Sequence, residues 1–520
     1  MARSKSYLLA FMLIPVISFA QYEMTPHNSF SVVQNLKQYG KDSIIEKQIF
    51  RSPFIITDES VSEIKKYNGK VMKFLRNKHF VELHDSTILL YADPYFNFSD
   101  TRHGDTSFSS NSRGLIFKGK LSDNFYFMSA AVENQVYYPD YLRNYYTEKR
   151  VISGLGRYKT FKEKGYDYAF AFGQIFWKPL KFMSVEAGHG KQFLGEGYRS
   201  LILSDFSSFY PFLKITTTYK KLQFVHIYTA FQDVKREDSR LLVYQRSHGT
   251  FTSVGYHFSE KLKISLTESI IWQTYGEDYN NQFPANFYIP VPYYRTIIYG
   301  FNDPNNVSLG LNFSWRPLYS IMIYGQYLLD DLNRFHNEDS LSIYNRYGYQ
   351  FGTRVIEPFK IKNLFILAEY NKVLPYTYSS SLRRQSYSGM NEPLAHPLGA
   401  NFNEYVIQGH YRFKSWYIAA TYTHALTGKD ILNKNFGSDI SKSDTTATVG
   451  EPLSDLNPKG IRTTVSNFSL EAGYLINPKY NFVISAGIRN RILNDVLVNN
   501  EANLIYFKLS TNLLNTYNDF

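Results

Sequence analysis

The chain has 520 residues, a formal net charge of +12, no cysteine, and an aromatic content of 17% that includes 45 Tyr and 41 Phe. Without cysteine there are no disulfides, no thiolate metal sites and no lipidated N-terminal cysteine. The mean hydropathy of −0.33 is too polar for a bundle of membrane helices, and no stretch beyond the first twenty residues approaches the roughly 18 apolar residues of a helical span. The charge is modest for the length: it suits anionic polysaccharide or lipopolysaccharide phosphate, and no dense Lys/Arg run with interleaved aromatics points to nucleic acid.

The first segment reads as a targeting sequence. Arg3 and Lys5 precede an apolar run from Leu8 to Phe19, and Ala20 supplies a small residue for cleavage. Residues 1–20 are therefore expected to be a signal peptide. Residues 21–86 are expected to form a periplasmic segment with helical content. Val61, Ile64, Val71, Phe74 and Leu75 recur at helical spacing, and Gly69 weakens the pattern.

From residue 87 to the end the period changes to two. Eighteen alternating runs follow, beginning with 87–99 and 112–121 and ending with 480–490 and 503–514. In 305–316, Val307, Leu309, Leu311, Phe313 and Trp315 alternate with Ser308, Gly310, Asn312, Ser314 and Arg316. Such alternation gives one apolar and one polar face. Short and long connections take turns. The short ones centre on Ser122-Asp123, Pro179, Lys220, Ser259-Glu260, Pro317, Pro358 to Lys360, Lys414, and Asn477 to Lys479. The long ones fall near 100–111, 138–165, 190–211, 233–248, 274–304, 330–346, 374–401, 428–464 and 491–502. Outer-membrane barrels have short periplasmic turns, long extracellular loops and aromatic girdles. The expectation is an all-β fold: a single 18-stranded antiparallel transmembrane barrel over 87–520, in the outer membrane of a Gram-negative cell. Phe520, an aromatic residue after the last run, resembles the assembly signal of such barrels.

Candidate chemistry is sparse. Gly190-Lys191 is not a phosphate loop, because position 185 is Val and position 192 is Gln. Gly188, Gly190, Gly195 and Gly197 suit a sharply turning loop that folds into the lumen. The alternative is that Lys191, Gln192, Phe193, Tyr198 and Arg199 are presented there to sugar hydroxyls or carboxylates. The 274–304 loop adds Tyr275, Tyr279, Tyr288, Tyr293 and Tyr294, whose rings suit stacking on sugars; the alternative is an interfacial girdle. Asp330-Asp331 is either a solvated loop start or a Ca²⁺ contact. His226, His257, His410 and His424 fall in no catalytic spacing, so no enzyme, cofactor or resident metal is expected.

The segment Gly188 to Asp205 (GHGKQFLGEGYRSLILSD) followed by Tyr210-Pro211 resembles the Wzi-type capsule assembly family. So does the 305–331 hairpin, with Asn312, Arg316-Pro317, Tyr324-Gly325-Gln326 and Asp330-Asp331. The likeness is greatest to the branch in gliding (Bacteroidetes-type) bacteria, the gliding-motility outer-membrane proteins. It implies an eighteen-stranded barrel with a helical N-terminal part and a lectin-like role in holding capsular polysaccharide. Phe193 and Tyr198 stand where the enteric proteins of the family carry a Trp-rich segment. The functions open at this point are polysaccharide binding for capsule assembly, adhesion or gliding; a passive or gated diffusion pore; and an accessory subunit of a motility or secretion complex with periplasmic partners. Outer-membrane lipid and lipopolysaccharide are expected partners of any of them.

Overall fold

A computed structural model describes residues 22–26, 54–58, 69–85, 87–234, 244, 246–273, 275–276, 279–280, 293–294, 297, 305–331, 345–431, 434–448, 458–511 and 514–520. Eighteen antiparallel strands close into one barrel. In chain order they are β1 (Leu89–His103), β2 (Thr106–Ser122), β3 (Phe125–Tyr137), β4 (Gly165–Leu180), β5 (Met183–Gly190) and β6 (Tyr210–Tyr219). Next come β7 (Leu222–Gln232), β8 (Arg246–His257), β9 (Leu262–Gln273), β10 (Asn306–Leu318), β11 (Ile321–Asp331) and β12 (Arg346–Ile356). The last six are β13 (Leu364–Val373), β14 (Phe402–Phe413), β15 (Trp416–Lys429), β16 (Ile461–Asn477), β17 (Phe482–Asn494) and β18 (Asn499–Thr511). Each pairs with its neighbour in sequence, and β18 pairs with β1, Ile505 opposite Arg102 through Ser510 opposite Asn97. No helix among the described residues is long and apolar enough to cross a membrane.

The burial pattern says which face meets lipid. On β10 the polar residues Ser308, Asn312 and Ser314 are buried, while Leu311 and Trp315 are 38% and 45% exposed. A soluble sandwich would bury the apolar face. Polar-in and apolar-out fits a barrel whose outer surface faces hydrocarbon. Closure is then obligatory, because lipid offers no partner for an open strand edge. Trp177, Tyr219, Phe258, Trp315, Tyr319 and Trp416 stand exposed near the short turns as one aromatic girdle.

Several boundaries differ from the sequence reading. Pro317 does not end its strand: β10 runs to Leu318 through a register shift between Trp315 and Leu318, and the turn is Tyr319-Ser320. Pro179 sits in the same kind of shift, between Trp177 and Leu180. A bulge accommodates the missing N–H. Two of the nine long loops are tight hairpins. β1 and β2 are joined by Gly104-Asp105 alone, and β17 and β18 by residues 495–498. There the strands continue past the apolar band with polar residues on both faces (Ser107, Ser109, Ser110, Asn111), so the period of two fades although pairing does not. The stretch read as a loop at 138–165 contains helix α2 (Asp140–Lys149), which starts after Pro139 and ends at Arg150 in the left-handed region.

The N-terminal region is mixed. Helix α1 (Lys70–Asn77) begins directly after Gly69, and residues 22–26 pair with 54–58 as two short strands. The expected signal peptide and residues 61–68 lie outside the described residues. Val81–His84 pairs with Leu89–Ala92 of β1, below the level at which β18 leaves that edge. The Arg76 guanidinium of α1 donates to the Tyr474 hydroxyl on β16 at 2.8 Å, and the Asn477 amide to the Lys78 carbonyl at 2.9 Å. The approach segment thus completes the barrel seam.

Phe520 is not the end of the last strand. β18 stops at Thr511, and residues 514–520 lie within the barrel, with the Phe520 ring tilted against Tyr145 at 4.6 Å and edge-on to Phe206 at 5.6 Å. The sequence Asn512-Leu513-Leu514-Asn515 breaks the period of two, so the comparison with a terminal assembly signal does not hold.

Candidate binding site

The lumen contains the chain's own segments, chiefly residues 191–209, 374–401 and 514–520. What holds them is a polar row built by register. Asn312 on β10 lies opposite Gln326 on β11, Gln326 opposite Gln350 on β12, Gln350 opposite Asn371 on β13, and Asn371 opposite Glu404 on β14. Five side chains from five strands therefore stand at one level, all pointing inward. They bond along the row: Gln326 Nε2 to Asn312 Oδ1 at 3.3 Å, Gln350 Nε2 to Asn371 Oδ1 at 2.8 Å, Asn371 Nδ2 to Glu404 Oε2 at 3.1 Å.

The glycine segment docks its backbone on that row. Gln326 accepts from Leu201 N and donates to Leu194 O, both at 2.8 Å, and Gln350 donates to Arg199 O at 3.0 Å. Glu369 accepts the N–H of Tyr198 at 2.8 Å and of Arg199 at 3.1 Å, while the Tyr324 hydroxyl reaches across Gly352 to donate to Glu369 at 2.8 Å. A Cβ at Gly197 would sit 2.4 Å from Glu369 Oε2. The glycine is required by this close approach. One level above the polar row, Leu328, Val373 and Phe402 form an apolar row that receives Leu201 and Ile202.

Arg199 is at the centre and 1% exposed. Its Nη2 lies 2.8 Å from Glu404 Oε1 and 3.2 Å from Asp519 Oδ2, and its guanidinium carbon lies 4.7 Å from the Tyr198 ring and 5.2 Å from the Tyr517 ring. Burial opposes its charge, but Asp519 and Glu404 outweigh burial and hold it well above the ordinary arginine range. His396 Nε2 lies 2.7 Å from Glu404, and its Nδ1 accepts from Leu398 N at 3.2 Å. Burial keeps the imidazole below its usual pKa despite the carboxylate. Both ring nitrogens are engaged in structure.

The opposite wall is built differently. The inward faces of β3 and β4 carry Tyr126, Met128, Val132, Tyr166, Phe170 and Phe172. Phe209 stacks on Phe170 at 5.7 Å and Phe172 at 5.3 Å, and Tyr138 and Tyr146 of the α2 region pack against Tyr166. Between the walls, Glu392 accepts from Ser153 Oγ at 2.6 Å, Gly154 N at 3.0 Å and Ser208 Oγ at 3.2 Å. Burial pushes its carboxyl up to about 7.

The expected site residues are therefore placed as follows. Gly188 and Gly190 lie at the end of β5, and Gly195 and Gly197 lie in the lumen on the polar row. Lys191, Gln192, Phe193 and Arg199 are buried. Lys191 Nζ donates to Asp205 O at 2.9 Å, and burial pulls its pKa down against Asp205 and Glu392. Tyr198 is half-buried, its hydroxyl on Asp519 at 3.0 Å. Presentation of these side chains to an outside sugar is corrected by this packing: each faces the protein. Tyr293 is half-buried, and its N–H donates to Glu268 on the outer face of β9 at 3.2 Å; Tyr294 is half-buried beside it. The side chains of Tyr275 and Tyr279 and all of Tyr288 lie outside the described residues. Asp330 is not a solvated loop start: it accepts the N–H of Tyr378 at 2.9 Å. Sequence reasoning singled out Asn312 and Gln326 only as part of the hairpin's family resemblance and missed Gln350, Asn371, Glu369, Glu404 and His396 as their partners. Its only clue was that each strand carries an amide or carboxylate on its polar face.

No family model and no curated protein matches the chain. Solved structures do. The Escherichia coli protein Wzi, described as an outer-membrane protein involved in group 1 capsule assembly and a carbohydrate-binding β-barrel, is 10% identical with a TM-score of 0.50, over 82% of this chain and 85% of its own. Pseudomonas aeruginosa OprD is 9% identical with a TM-score of 0.41, over 86% and 98%. OccK3 of the same organism is 10% identical at 0.42, over 81% and 94%. At such identities the likeness is one of fold: the chain is a barrel of the outer-membrane type.

Proposed function

We propose that this chain is a non-catalytic outer-membrane barrel that holds surface or capsular polysaccharide at its loop end, as a distant member of the Wzi-type group, in support of capsule assembly, adhesion or gliding. The long connections face outward and the short turns face the periplasm. The observation that carries the reading is the occupied lumen. Residues 191–209 and 514–520 are fixed to the strands by the Arg199–Glu404–Asp519 cluster and by the polar row, an arrangement that suits a rigid platform better than a conduit. The carbohydrate-binding description of Wzi supports the same class of ligand. The test is binding of purified capsular polysaccharide to the folded barrel, with and without the loop between Gln273 and Asn306. Retained affinity of an unrelated glucan equal to that of the capsular polymer would contradict the reading, as would no binding at all.

A gated pore is the second reading. Cavities of 280 and 230 Å³ flank residues 514–519 and share Glu471, Arg489, Tyr506 and Lys508 in their walls. Movement of that tail alone would join them.

A further inference from the structure

The barrel wall has a window. β4 pairs with β5 only from Gly173 opposite His189 toward the turn end. Above that level its edge is next met at Gly165–Asp167, by residues 159–161. β6 likewise begins at Tyr210 opposite Gly190, while β7 continues to Gln232 in its pairing with β8. Residues 168–172 of β4 and 230–232 of β7 thus face each other across a gap that the short β5–β6 pair does not fill. A cavity of 410 Å³ occupies the gap, a size within the ~300–1,000 Å³ of ligand pockets. Its floor is apolar, with Phe170, Phe209 and Met390; its outer lip carries the small residues Ala169 and Ala171.

The rim is basic. Arg157 and Arg246 line the cavity and are exposed, His189 stands at its lower edge with Nδ1 3.1 Å from Ala171 O, and no carboxylate among the described residues lines it. On the outer face nearby, the acidic groups are Asp167, further along β4, and Glu133 of β3, which stands opposite Ala169 with its carboxylate 3.8 Å from Arg113. The height is informative. Pro211 is eight residues above the girdle residue Tyr219 on β6. At ~3.4 Å per residue and a tilt of ~40° this is roughly 20 Å, near the upper limit of an apolar band ~25 Å tall. An apolar slot opening sideways there, with cations above it, matches an acyl chain below an anionic phosphate.

We propose that the window between β4 and β7 binds a phosphorylated glycolipid of the outer leaflet, a lipid A: one acyl chain enters over Phe209 and Met390, and a phosphate lies between Arg157 and Arg246. The inference goes beyond polysaccharide binding and uses none of the residues between Gln273 and Asn306 on which the polysaccharide test rests. The test is retention of lipid A, measured by mass spectrometry on barrel purified from an outer membrane and exchanged into lipid-free detergent. Wild type is expected to keep lipid A. Ala171→Trp, which fills the slot, and separately the exposed pair Arg157→Ala with Arg246→Ala, are each expected to lower retention about tenfold, with folded-barrel mobility on unheated gels preserved. Should Ala171→Trp fail to fold, the arginine pair carries the test. Added phosphatidylglycerol is expected not to displace the lipid A, and removal of its phosphates is expected to release it. Unchanged retention in the arginine pair, or equal displacement by phosphatidylglycerol, overturns the proposal.

Discussion

The two sides of the lumen solve the same problem by different physics. On the β10–β14 side, Gln326, Gln350 and Glu369 meet the backbone of residues 194–201 through directed hydrogen bonds, and Glu404 holds the buried Arg199 guanidinium. On the β3–β4 side, Phe170, Phe172, Tyr166 and Val132 meet Phe209, Tyr146 and Phe520 chiefly through apolar and ring area, with only hydroxyl contacts such as Tyr138–Tyr168 at 2.8 Å beside it. A polar wall fixes one position of the plug, because every mispairing strands a buried donor or acceptor. An aromatic wall contributes more per residue but tolerates small shifts. Together they explain how a chain with only 30 glycines in 520 residues holds long irregular segments inside a barrel.

The largest effect is expected from splitting the ion cluster. Glu404→Leu leaves Arg199 buried with only Asp519 opposite, and should cost about 3–5 kcal/mol in urea unfolding of the detergent-folded barrel. Arg199→Met combined with Glu404→Leu should recover a large part of that loss. Equal losses in the single and double variants would show that the charges are not coupled. On the other wall, Phe172→Ala should cost about 3 kcal/mol, read by the same unfolding; it should do so equally at low and high pH, since no titrating group is touched.

Gly197→Ala is a smaller and sharper probe of the polar wall. The new Cβ would meet Glu369 Oε2 at 2.4 Å and Arg199 O at 2.6 Å, so a loss of about 1–3 kcal/mol is expected. Gly409→Ala, with nothing within 4 Å of its Cβ, should stay within about 0.5 kcal/mol of wild type. The smallest effect concerns pH. The folded pKa of His396 lies below its ordinary 6.5 because the ring is buried. The unfolded chain therefore takes up the proton first as pH falls. This contribution to stability is complete above pH 6.5 and lost as pH falls below it, and His396→Gln should flatten the unfolding midpoint across that range.

Much of this fold is written in local alternation. The lipid face must be apolar on every strand, so all eighteen runs carry a period of two that survives without knowledge of their neighbours. The polar row is not local. Gln326 and Gln350 are unremarkable within their own strands and become a ladder only when register sets them opposite each other. Pro317 reads as a stop because its missing N–H is a local fact, whereas the bulge that absorbs it depends on β11. The β1–β2 hairpin at Gly104-Asp105 hides for the opposite reason: above the membrane no face needs to be apolar. The four glycines of 188–197 mark an unusual loop, but only the partners at Glu369 and Gln326 say why it must be glycine. The tail at 514–520 leaves little signal, since a few aromatics after a broken alternation suit many destinations.

The central claim is that the chain's own segments close the lumen, and planar-bilayer conductance tests it most directly. The wild-type barrel is expected to pass no large steady single-channel current. Removal of residues 514–520, with replacement of 192–207 by a short Gly/Ser linker, is expected to open a water-filled channel of the width that eighteen strands enclose. Steady porin-sized currents through the unaltered protein would contradict the account.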